Sequence, residues 1–338
     1  MSRFCKVGHY ARMSRLVFTL AVLGACGGTD DNVLTQIDAS SDVTSQPQPW
    51  TSETSGTTTD LYAVWAGTPT NVVAAGGDPG NTAGNPGVIV SGNGTAWTAT
   101  PYLVNLLGAF ARTAVGEYGG EGSMTYWNGS SWSSRDVLGA GSLRGTWETS
   151  PGTYAVGDNG QLHFTSEIGI PGGWINLTSN TTNALYAVWG SSMSDVYVVG
   201  AGGVILHNTN AGPSGSGTWV KTTEGSSTLR AVWGSSANDV YIVGEAPAVI
   251  LHSTNGGANW TSATLPASAI GLYGVSGNGP NNIYVVGATG GLAFHSTGND
   301  TWTTETLPTT KDLFGVSVAS TGDAYAVGRS GTILHKAP

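Results

Sequence analysis

The stretch Leu229–Pro266, LRAVWGSSANDVYIVGEAPAVILHSTNGGANWTSATLP, decides the fold of this 338-residue chain. It contains three short apolar runs, LRAVW, DVYIVG and AVILH, and a fourth run opens at Trp260. Small and polar turn residues separate the runs. Short runs rich in Val, Ile, Tyr and Trp between turn signals are typical of β-strands. The stretch therefore predicts a repeating unit of four strands.

Variations of this unit fill most of the chain. Its starting motif, Leu-x-(Ala/Gly), recurs seven times at intervals of 36 to 46 residues, at Leu61, Leu107, Leu143, Leu185, Leu229, Leu272 and Leu313. A period near 40–45 residues with four strands per unit is typical of a β-propeller. We therefore expect an all-β, seven-bladed β-propeller over residues 48–338. The second copy, residues 105–138, is the most divergent.

The two ends of the propeller are expected to meet in one blade. The seventh copy stops at Pro338 after three strands, and an open blade would leave an unpaired edge. At the other end of the chain, Trp50–Thr54 (WTSET) nearly repeats Trp302–Thr306 (WTTET), which opens the fourth strand of the sixth copy. We expect residues 50–54 to complete the last blade and close the ring.

The first 47 residues have a different character. Four basic residues and the apolar run Leu16–Ala25 predict a signal peptide over residues 1–25, because the run is too short to span a bilayer. Leu23–Cys26 resembles a bacterial lipobox, which implies a lipidated Cys26 followed by a flexible polar linker over residues 26–47. We expect an outer-membrane lipoprotein, periplasmic or surface-exposed, since Gly27 and not Asp follows the Cys. The alternative is an ordinary signal peptide and a secreted protein.

Charge and cysteine content narrow the function classes. Removal of residues 1–25 leaves 8 basic and 21 acidic residues, a net charge of −13. Such a surface repels phosphates, so we expect no nucleic-acid partner and contact with the membrane only through the lipid anchor. Of the two cysteines, Cys5 is expected to be removed with the signal peptide and Cys26 to be lipidated, which leaves no thiol for a disulfide, a metal site or catalysis. We predict a monomer without cofactor or metal.

The repeat resembles the WD40/YVTN/BNR-like superfamily of propellers. His252–Trp260 (HSTNGGANW) resembles a degenerate Asp-box, with Asn255 at the position of the usual Asp, and His295–Trp302 is a looser version. The pattern VWG…DVYVVG…GxILH is similar to bacterial secreted propellers and to propellers of the photosystem assembly-factor type. The resemblance implies the fold over roughly residues 48–338, and it implies that Asp-box turns are structural.

The histidines at the ends of the third strands are interpreted as structural. They are His207, His252, His295 and His335. Equivalent positions in different blades spread around a ring, whereas a zinc ion needs all its ligands about 2 Å from one point. We expect each His to tie its strand end to a neighbouring turn. The residues that open the second strands are interpreted as Asx turns: Asn71, Asp195, Asp239, Asn282 and Asp323.

A ring of residues at one mouth of the central channel is the candidate binding site. Each follows the starting Leu or the Gly that ends the second strand, and these two positions meet at one mouth because the two strands are antiparallel. The candidate ligand-binding residues are Tyr62, Arg144, Tyr186, Arg230, Tyr273, Phe314 and Arg329. Arg144 is expected to pair with Asp158, and Arg230 with Glu245. Two interpretations of these residues stay open. They form structural ion pairs with aromatic packing, or they line a mouth that binds a peptide or glycan.

The predicted function is non-catalytic. We expect a binding or scaffolding propeller of the cell envelope that recognises an envelope or extracellular protein, or a glycan, at a channel mouth. One alternative is a glycan-active hydrolase or lyase of the sialidase-like BNR type, whose weak catalytic candidates are Glu117, Asp158 and Glu245. No local motif of that family surrounds the five arginines after residue 25. The assembly-factor resemblance implies a third possibility, a protein that assists assembly of a membrane complex.

Overall fold

The computed structural model describes most of the propeller. The described residues are 48–77, 87–102, 105–106, 114–118, 123–127, 131–137, 141–149, 152–166, 173–210, 217–265, 269–288 and 290–338. The predicted signal peptide, the predicted lipidation site Cys26 and the predicted linker lie outside them.

Residues 46–338 form one compact unit. Within the described ranges, no helix is long and apolar enough to cross a membrane.

In the described part of the chain, the strands are arranged in seven four-stranded antiparallel sheets. The first three sheets in chain order contain β2 (Leu61–Thr68), β3 (Asn71–Gly77), β4 (Gly87–Gly92), β5 (Trp97–Tyr102); β6 (Asn105–Leu106), β7 (Ala114–Tyr118), β8 (Ser123–Trp127), β9 (Trp132–Asp136); and β10 (Leu143–Thr149), β11 (Gly152–Gly157), β12 (Leu162–Thr165), β13 (Ile175–Asn176). The first sheet is called blade 1 and the third blade 3.

The next three sheets follow the same order. Blades 4 to 6 contain β14 (Leu185–Ser192), β15 (Asp195–Gly200), β16 (Val204–Asn208), β17 (Val220–Thr223); β18 (Thr228–Ser236), β19 (Asp239–Glu245), β20 (Val249–Ser253), β21 (Thr261–Ser262); and β22 (Leu272–Gly277), β23 (Ile283–Gly287), β24 (Leu292–Ser296), β25 (Thr303–Thr304). Blade 7 contains β26 (Leu313–Val318), β27 (Ala324–Gly328), β28 (Ile333–Lys336) and β1 (Thr51–Glu53). Three short 3-10 turns, Asp158–Gly160, Ala201–Gly203 and Arg329–Gly331, follow second strands.

An all-β propeller is confirmed, but the prediction of seven blades is wrong. Six sheets are regular blades with inner strands of six to nine residues. The sheet β6–β9 is set apart from these six: within the described residues its inner strand covers Asn105–Leu106, which pairs with β7 through Asn105↔Tyr118 and Leu106↔Glu117. The copy that begins at Leu107 has Ala111 where blade 1 has Trp65. The fold is therefore a propeller of six regular blades with a degenerate sheet between blades 1 and 3.

The second strands form the centre of each blade. From Val196 to Gly200 in β15 and from Val240 to Gly244 in β19, every residue is buried, so both sheet faces are covered. β-Branched and aromatic side chains suit such a position, since they fill the space between stacked sheets. The core is accordingly divided into clusters between consecutive blades and has no single centre.

Tryptophans of the outer strands join each blade to the preceding one. Trp260 of blade 5 meets Tyr197 of blade 4 edge-on, with 6.3 Å between ring centroids. Trp302 of blade 6 meets Tyr241 of blade 5 in the same way at 6.0 Å. Edge-to-face contacts of this kind stabilise a seam by about 1 kcal/mol beyond the area they bury. The recurring Trp is therefore a joint between blades.

The N-terminal strand closes blade 7, as the repeat of WTSET and WTTET predicts. Strand β1 pairs antiparallel with β28 through Thr51↔His335, Ser52↔Leu334 and Glu53↔Ile333. Trp50 is buried, lies edge-on to Tyr284 at 5.6 Å and donates its indole N–H to Glu305 at 3.0 Å. The two ends of the described domain are thus held together by a β-ladder and by the same Trp seam that joins the other blades.

A titratable pair strengthens this closure and gives a pH prediction. The Nδ1 of His335 lies 3.2 Å from a Glu53 oxygen, and its Nε2 lies 2.9 Å from Asp323. Hydrogen bonding to Glu53 raises the pKa of His335 above its ordinary 6.5, and the same bond lowers the pKa of Glu53 below 4.5. The contribution of His335 is fully present below pH 6.5 and is lost as pH rises through its raised pKa. The contribution of Glu53 is present above pH 4.5 and is lost as pH falls through its lowered pKa.

We therefore expect the pair to stabilise the domain most between pH 4.5 and 6.5. Because both side chains are partly exposed, the loss at alkaline pH should be about 1 kcal/mol, or a few degrees of melting temperature. Thermal melts across this range in the wild type and in His335→Gln measure it. The variant serves as the control for all other titrating groups, and a wild type that follows the same pH profile as the variant would contradict the prediction.

Candidate functional site

A β-bulge positions the residues of the predicted mouth. In each regular blade the register of the inner strand shifts between the starting Leu and the residue two positions later. The bulge leaves the intervening residue out of the ladder, and such a bulge re-aims a side chain. The residues in this position are Tyr62, Arg144, Tyr186, Arg230, Tyr273 and Phe314. We call these six residues the Arg–Tyr mouth.

Two ion pairs are present at the mouth, as predicted. The Nε of Arg144 donates to Asp158 Oδ1 at 2.6 Å and its Nη2 donates to Oδ2 at 3.2 Å. In blade 5 the Nε of Arg230 donates to Glu245 Oε1 at 2.7 Å, and the Nη2 contacts the same oxygen. Both pairs stay within one blade, since Asp158 lies in the turn after β11 and Glu245 ends β19. Each carboxylate therefore fixes one edge of a guanidinium and leaves the Nη1 side of the fork for another acceptor.

Aromatic contacts link the blades into a continuous line. The ring of Tyr62 lies 5.3 Å from Phe314, and Phe314 lies 5.8 Å from Tyr273, measured between centroids. The guanidinium of Arg230 lies 5.9 Å from the Tyr273 ring and 4.2 Å from the Tyr186 ring. The mouth is thus built from side chains that hold one another in place.

Cation–π contacts and one hydrogen bond fix the side chains of the Arg–Tyr mouth in place. The Arg144 guanidinium lies 5.1 Å from the Tyr186 ring, so two cations flank one aromatic side chain. Tyr273 donates its hydroxyl to Glu245 at 2.7 Å. Burial and then this hydrogen bond raise the pKa of Tyr273 to about 12, so the hydroxyl stays a donor at neutral pH. Cation–π contacts of this type contribute about 1 kcal/mol each.

All six residues of the mouth line one cavity along the central channel, with a volume of about 610 Å³. Arg329, the seventh predicted ligand-binding residue, does not line it. Its guanidinium pairs with Asp312 at 3.1 Å and its side chain is 57% exposed. Arg329 follows the second strand of blade 7 and does not occupy the bulge position, so it lies outside the ring that the other six share.

The weak catalytic candidates do not form an acid–base pair in the described residues. Asp158 and Glu245 each accept hydrogen bonds from the arginine of their own blade. Glu117 lies in β7, paired in register with Leu106, and its side chain lies outside what the structure describes. Proton transfer needs a carboxyl group that is open to the substrate. At the Arg–Tyr mouth, Asp158 and Glu245 therefore act as hydrogen-bond partners of Arg144 and Arg230.

The structure confirms that the third-strand histidines tie each strand to the start of the second strand. His207, His252 and His335 place Nε2 2.6 to 2.9 Å from Asp195, Asp239 and Asp323, and His295 lies 3.0 Å from Asn282. Each also stacks on a tyrosine of the second strand. Within the described residues, no group of three His, Cys, Asp or Glu side chains is placed to hold a metal ion.

The prediction missed a second ring of residues in the same cavity. Three positions after the bulge, the inner strands carry Trp65, Trp147, Trp189 and Trp233, and all four line the channel. Blades 6 and 7 carry Ser276 and Ser317 at this position. A signal was present in the sequence, since LYAVW, LRGTW and LRAVW all end in Trp. We call the four tryptophans the tryptophan collar.

Comparisons with known proteins agree on the fold. No protein-family model matches the chain, and no curated protein matches it. Among solved structures, "YCF48 bound to D1 peptide" has a TM-score of 0.66 at 15% identity and covers 86% of this chain and 98% of its own. The WD40 propeller domain of Doa1 has a TM-score of 0.64 at 12% identity, with coverage of 86% and 97%. Likeness at such low identity shows a shared propeller fold, in agreement with the resemblance to propeller families.

An enzyme is also among the similar structures. A catalytically inactive variant of virginiamycin B lyase from Staphylococcus aureus, solved with quinupristin, has a TM-score of 0.69 at 11% identity and covers 86% of this chain and 99% of its own. A protein solved with a bound peptide and a lyase are thus similar to this chain in backbone to nearly the same degree. The side chains of the site, not the fold, must decide between them.

Proposed function

We propose that this protein is a non-catalytic propeller that binds a segment of an envelope or extracellular protein at the Arg–Tyr mouth. The observation that carries the proposal is the arrangement of Arg144 and Arg230, each held by a carboxylate along one edge and flanking the ring of Tyr186. Guanidinium groups fixed in this way donate to carbonyl or carboxylate groups without first losing conformational freedom. Tyr62, Tyr273 and Phe314 add apolar surface beside them.

Two further points support a polypeptide ligand. One of the similar structures is a propeller described as bound to a peptide. The cavity is lined by aromatic and aliphatic side chains together with a few fixed polar groups, which is the composition that peptide side chains recognise. Aromatic residues and arginine are also the residue types that contribute most to binding energy at protein interfaces.

The glycan-active hydrolase or lyase receives no support from the site geometry. Asp158 and Glu245 are each engaged by the arginine of their own blade. The assembly-factor function agrees with a peptide-binding mouth and is one form of the proposed function. We also propose, from the lipobox-like Leu23–Cys26, that the propeller is anchored at the outer membrane.

Binding should depend on both mouth arginines. A purified propeller is panned against a random peptide display library and, in parallel, against a glycan array, in the wild type and in Arg144→Ala/Arg230→Ala. We expect enriched peptides whose affinity falls at least tenfold in the double variant, a change of about 1.4 kcal/mol or more. The matched control is Arg329→Ala, which removes an arginine outside the cavity and should leave affinity unchanged.

Loss of fold is separated from loss of binding by the conservative pair Arg144→Lys/Arg230→Lys. Lysine keeps the charge but lacks the planar fork, so we expect a folded domain with weakened binding. Peptides that bind the double alanine variant as well as the wild type would place the site elsewhere. Enrichment of glycans alone would replace the peptide with a sugar ligand.

A further inference from the structure

Three exposed apolar residues lie beside the Arg–Tyr mouth, between blades 5 and 6. Ile270 is 68% exposed, the largest fraction among the exposed large hydrophobic side chains of the described residues. Ala246 and Pro247, in the loop that follows β19, are exposed as well. We call Ala246, Pro247 and Ile270 the apolar rim. Apolar residues that gather on the surface next to a candidate site are typical of a contact surface for a partner.

A backbone bridge places the apolar rim next to the mouth. Glu245, the last residue of β19, forms an isolated antiparallel bridge with Gly271. The residue after one bridge position and the residue before the other, Ala246 and Ile270, are therefore neighbours. Glu245 is also the carboxylate that holds Arg230 at the mouth. The rim thus extends the mouth outward, although none of its three residues lines the channel cavity.

The glycine of the bridge keeps this corner of the mouth open. A Cβ at Gly271 would lie 3.2 Å from Glu245 Oε2 and 3.3 Å from the hydroxyl of Tyr273. A larger side chain would therefore cover the hydrogen bond between these two groups. The side chains of Arg230 and Glu245 are 28% and 19% exposed. A ligand can therefore contact the polar corner and the apolar rim at the same time.

The apolar rim is held in place by packing and by a hydrogen bond. The hydroxyl of Ser227 donates to the carbonyl oxygen of Pro247 at 2.8 Å. Ala248 and Ala269, which adjoin the rim in the chain, pack against the apolar cluster between blades 5 and 6. A surface that is fixed in this way binds a partner without first losing conformational freedom.

We propose that the apolar rim binds a large aliphatic or aromatic side chain of the peptide whose acceptor group binds Arg230. This inference rests on the proposed peptide-binding function and adds a requirement on the sequence of the peptide. Residues opposite each other at an antiparallel bridge lie about 5 Å apart, and alternate side chains of an extended peptide lie roughly 7 Å apart. The apolar side chain should therefore follow or precede the Arg-bound residue by one or two positions.

The composition of this corner favours a peptide over a second copy of the chain or a glycan. An interface between two copies buries about 800 Å² on each partner, which is far more than three residues provide. A glycan has no large apolar side chain to cover Ile270. A peptide supplies both a carbonyl or carboxylate acceptor for Arg230 and an apolar side chain within a few ångströms of it.

The test begins with a random peptide library displayed on phage and selected on the purified wild-type protein. We expect the enriched peptides to share a large apolar residue at one fixed position. One of them is synthesised, together with its variant that carries Ser at that position, and both are titrated into the wild type and Ile270→Ser. Each single change should weaken binding about tenfold. The double change should be no weaker than either single one, because both remove the same contact.

Val220→Ser is the matched control, since Val220 is also β-branched and 59% exposed but lies on the outer strand β17. It should leave the affinity unchanged, and both serine variants should keep the melting temperature of the wild type. If no peptide is enriched, or if Arg144→Ala/Arg230→Ala binds the peptide as the wild type does, the proposed function and this inference are both wrong.

Two results would overturn the apolar rim alone. One is an affinity that depends on the two arginines but is the same in Ile270→Ser and the wild type. The other is a wild-type dimer in sedimentation that Ile270→Ser dissociates, which would make a second copy of the chain the occupant of the rim.

Discussion

Deletion of residues 46–56 is expected to lower the melting temperature of the propeller by about 10 °C or more. The deletion removes Trp50, and loss of a buried Trp side chain costs about 3–5 kcal/mol. It also removes the β1–β28 ladder and leaves the edge of β28 unpaired. For a domain of this size, each kcal/mol corresponds to a few degrees.

Loss of the polar contacts of the closing strand adds to the destabilisation that the deletion causes. Glu305 loses the Trp50 indole and keeps only Lys336, whose Nζ lies 2.6 Å away. Trp97 of blade 1 donates its indole N–H to Glu53, so removal of Glu53 leaves that donor without its acceptor. Loss of one partner of a partly buried polar pair costs more than the pair contributes. The seams on both sides of blade 7 are therefore weakened at once.

Calorimetry on three proteins decides this prediction. The reference is the full chain, the matched control is a deletion of residues 27–44, and the third protein lacks residues 46–56. We expect the control to melt with the reference. A synthetic peptide of residues 46–56 added to the shortened protein should restore part of the loss, because it can re-form the ladder with β28. Equal melting temperatures for the two deletions would rule out closure by the N-terminal strand.

Much of this fold follows from the repeat. The apolar runs, their spacing and the terminal WTSET repeat predict four-stranded blades and the closure of the last one, because each depends on a local pattern that six blades share. The ion pairs Arg144–Asp158 and Arg230–Glu245 are also predictable, since their positions are linked by the antiparallel pairing of two neighbouring strands. A strand pattern that recurs in six blades predicts the same local structure six times, so these predictions are secure.

The errors of prediction occur where a single copy departs from the repeat. The sheet β6–β9 keeps the number of strands, and its described inner strand covers Asn105–Leu106, in the copy whose sequence departs most from the repeat. Its place after a second strand predicts Arg329 at the mouth, yet Arg329 pairs with Asp312 outside the cavity. The direction of a long side chain at the end of a strand depends on the residues that surround it in the fold, and these are not visible in the sequence.

The tryptophan collar shows a different limit. The Trp at the end of LYAVW is visible in the sequence, but apolar residues of an inner strand are expected in the core. In the structure the four consecutive residues Tyr186 to Trp189 all line the channel cavity, although neighbouring residues of a strand point to opposite faces. Alternation along the sequence therefore does not reveal which residues form the wall of the channel.

Replacement of Gly298 by Ala is expected to destabilise the domain by about 3 kcal/mol or more, through backbone strain together with a steric clash. Gly298 lies in the turn His295–Trp302, the looser of the two segments that resemble an Asp-box. Its φ is +85°, and a Cβ there would lie 1.9 Å from the carbonyl oxygen of Pro280. That oxygen is backbone in the loop between β22 and β23, so the loop itself would have to move.

Substitutions at two other glycines separate the contribution of backbone strain from that of the steric clash. Gly225 has a φ of +66° but open space around its missing Cβ, so Gly225→Ala should cost only the left-handed backbone, about 1 kcal/mol. Gly279 has open space and no positive φ, so Gly279→Ala should be neutral or slightly stabilising. Chemical denaturation of the three variants should therefore give the order Gly298, Gly225, Gly279. A Gly298 variant as stable as the Gly225 variant would mean that the two loops are not in contact.

The same series tests whether the turn is structural or functional. Gly298 N–H donates to Ser296 Oγ at 3.2 Å, and the next residues lead to Asp300, which lies 2.6 Å from His252 of the preceding blade. These contacts position the blade seam at the outer strand, away from the six residues of the Arg–Tyr mouth. Below its melting temperature, the Gly298→Ala variant should therefore bind peptide ligands with unchanged affinity. A variant that stays folded but loses binding would show that the turn contributes to the site, and the Asp-box resemblance would then concern function as well as fold.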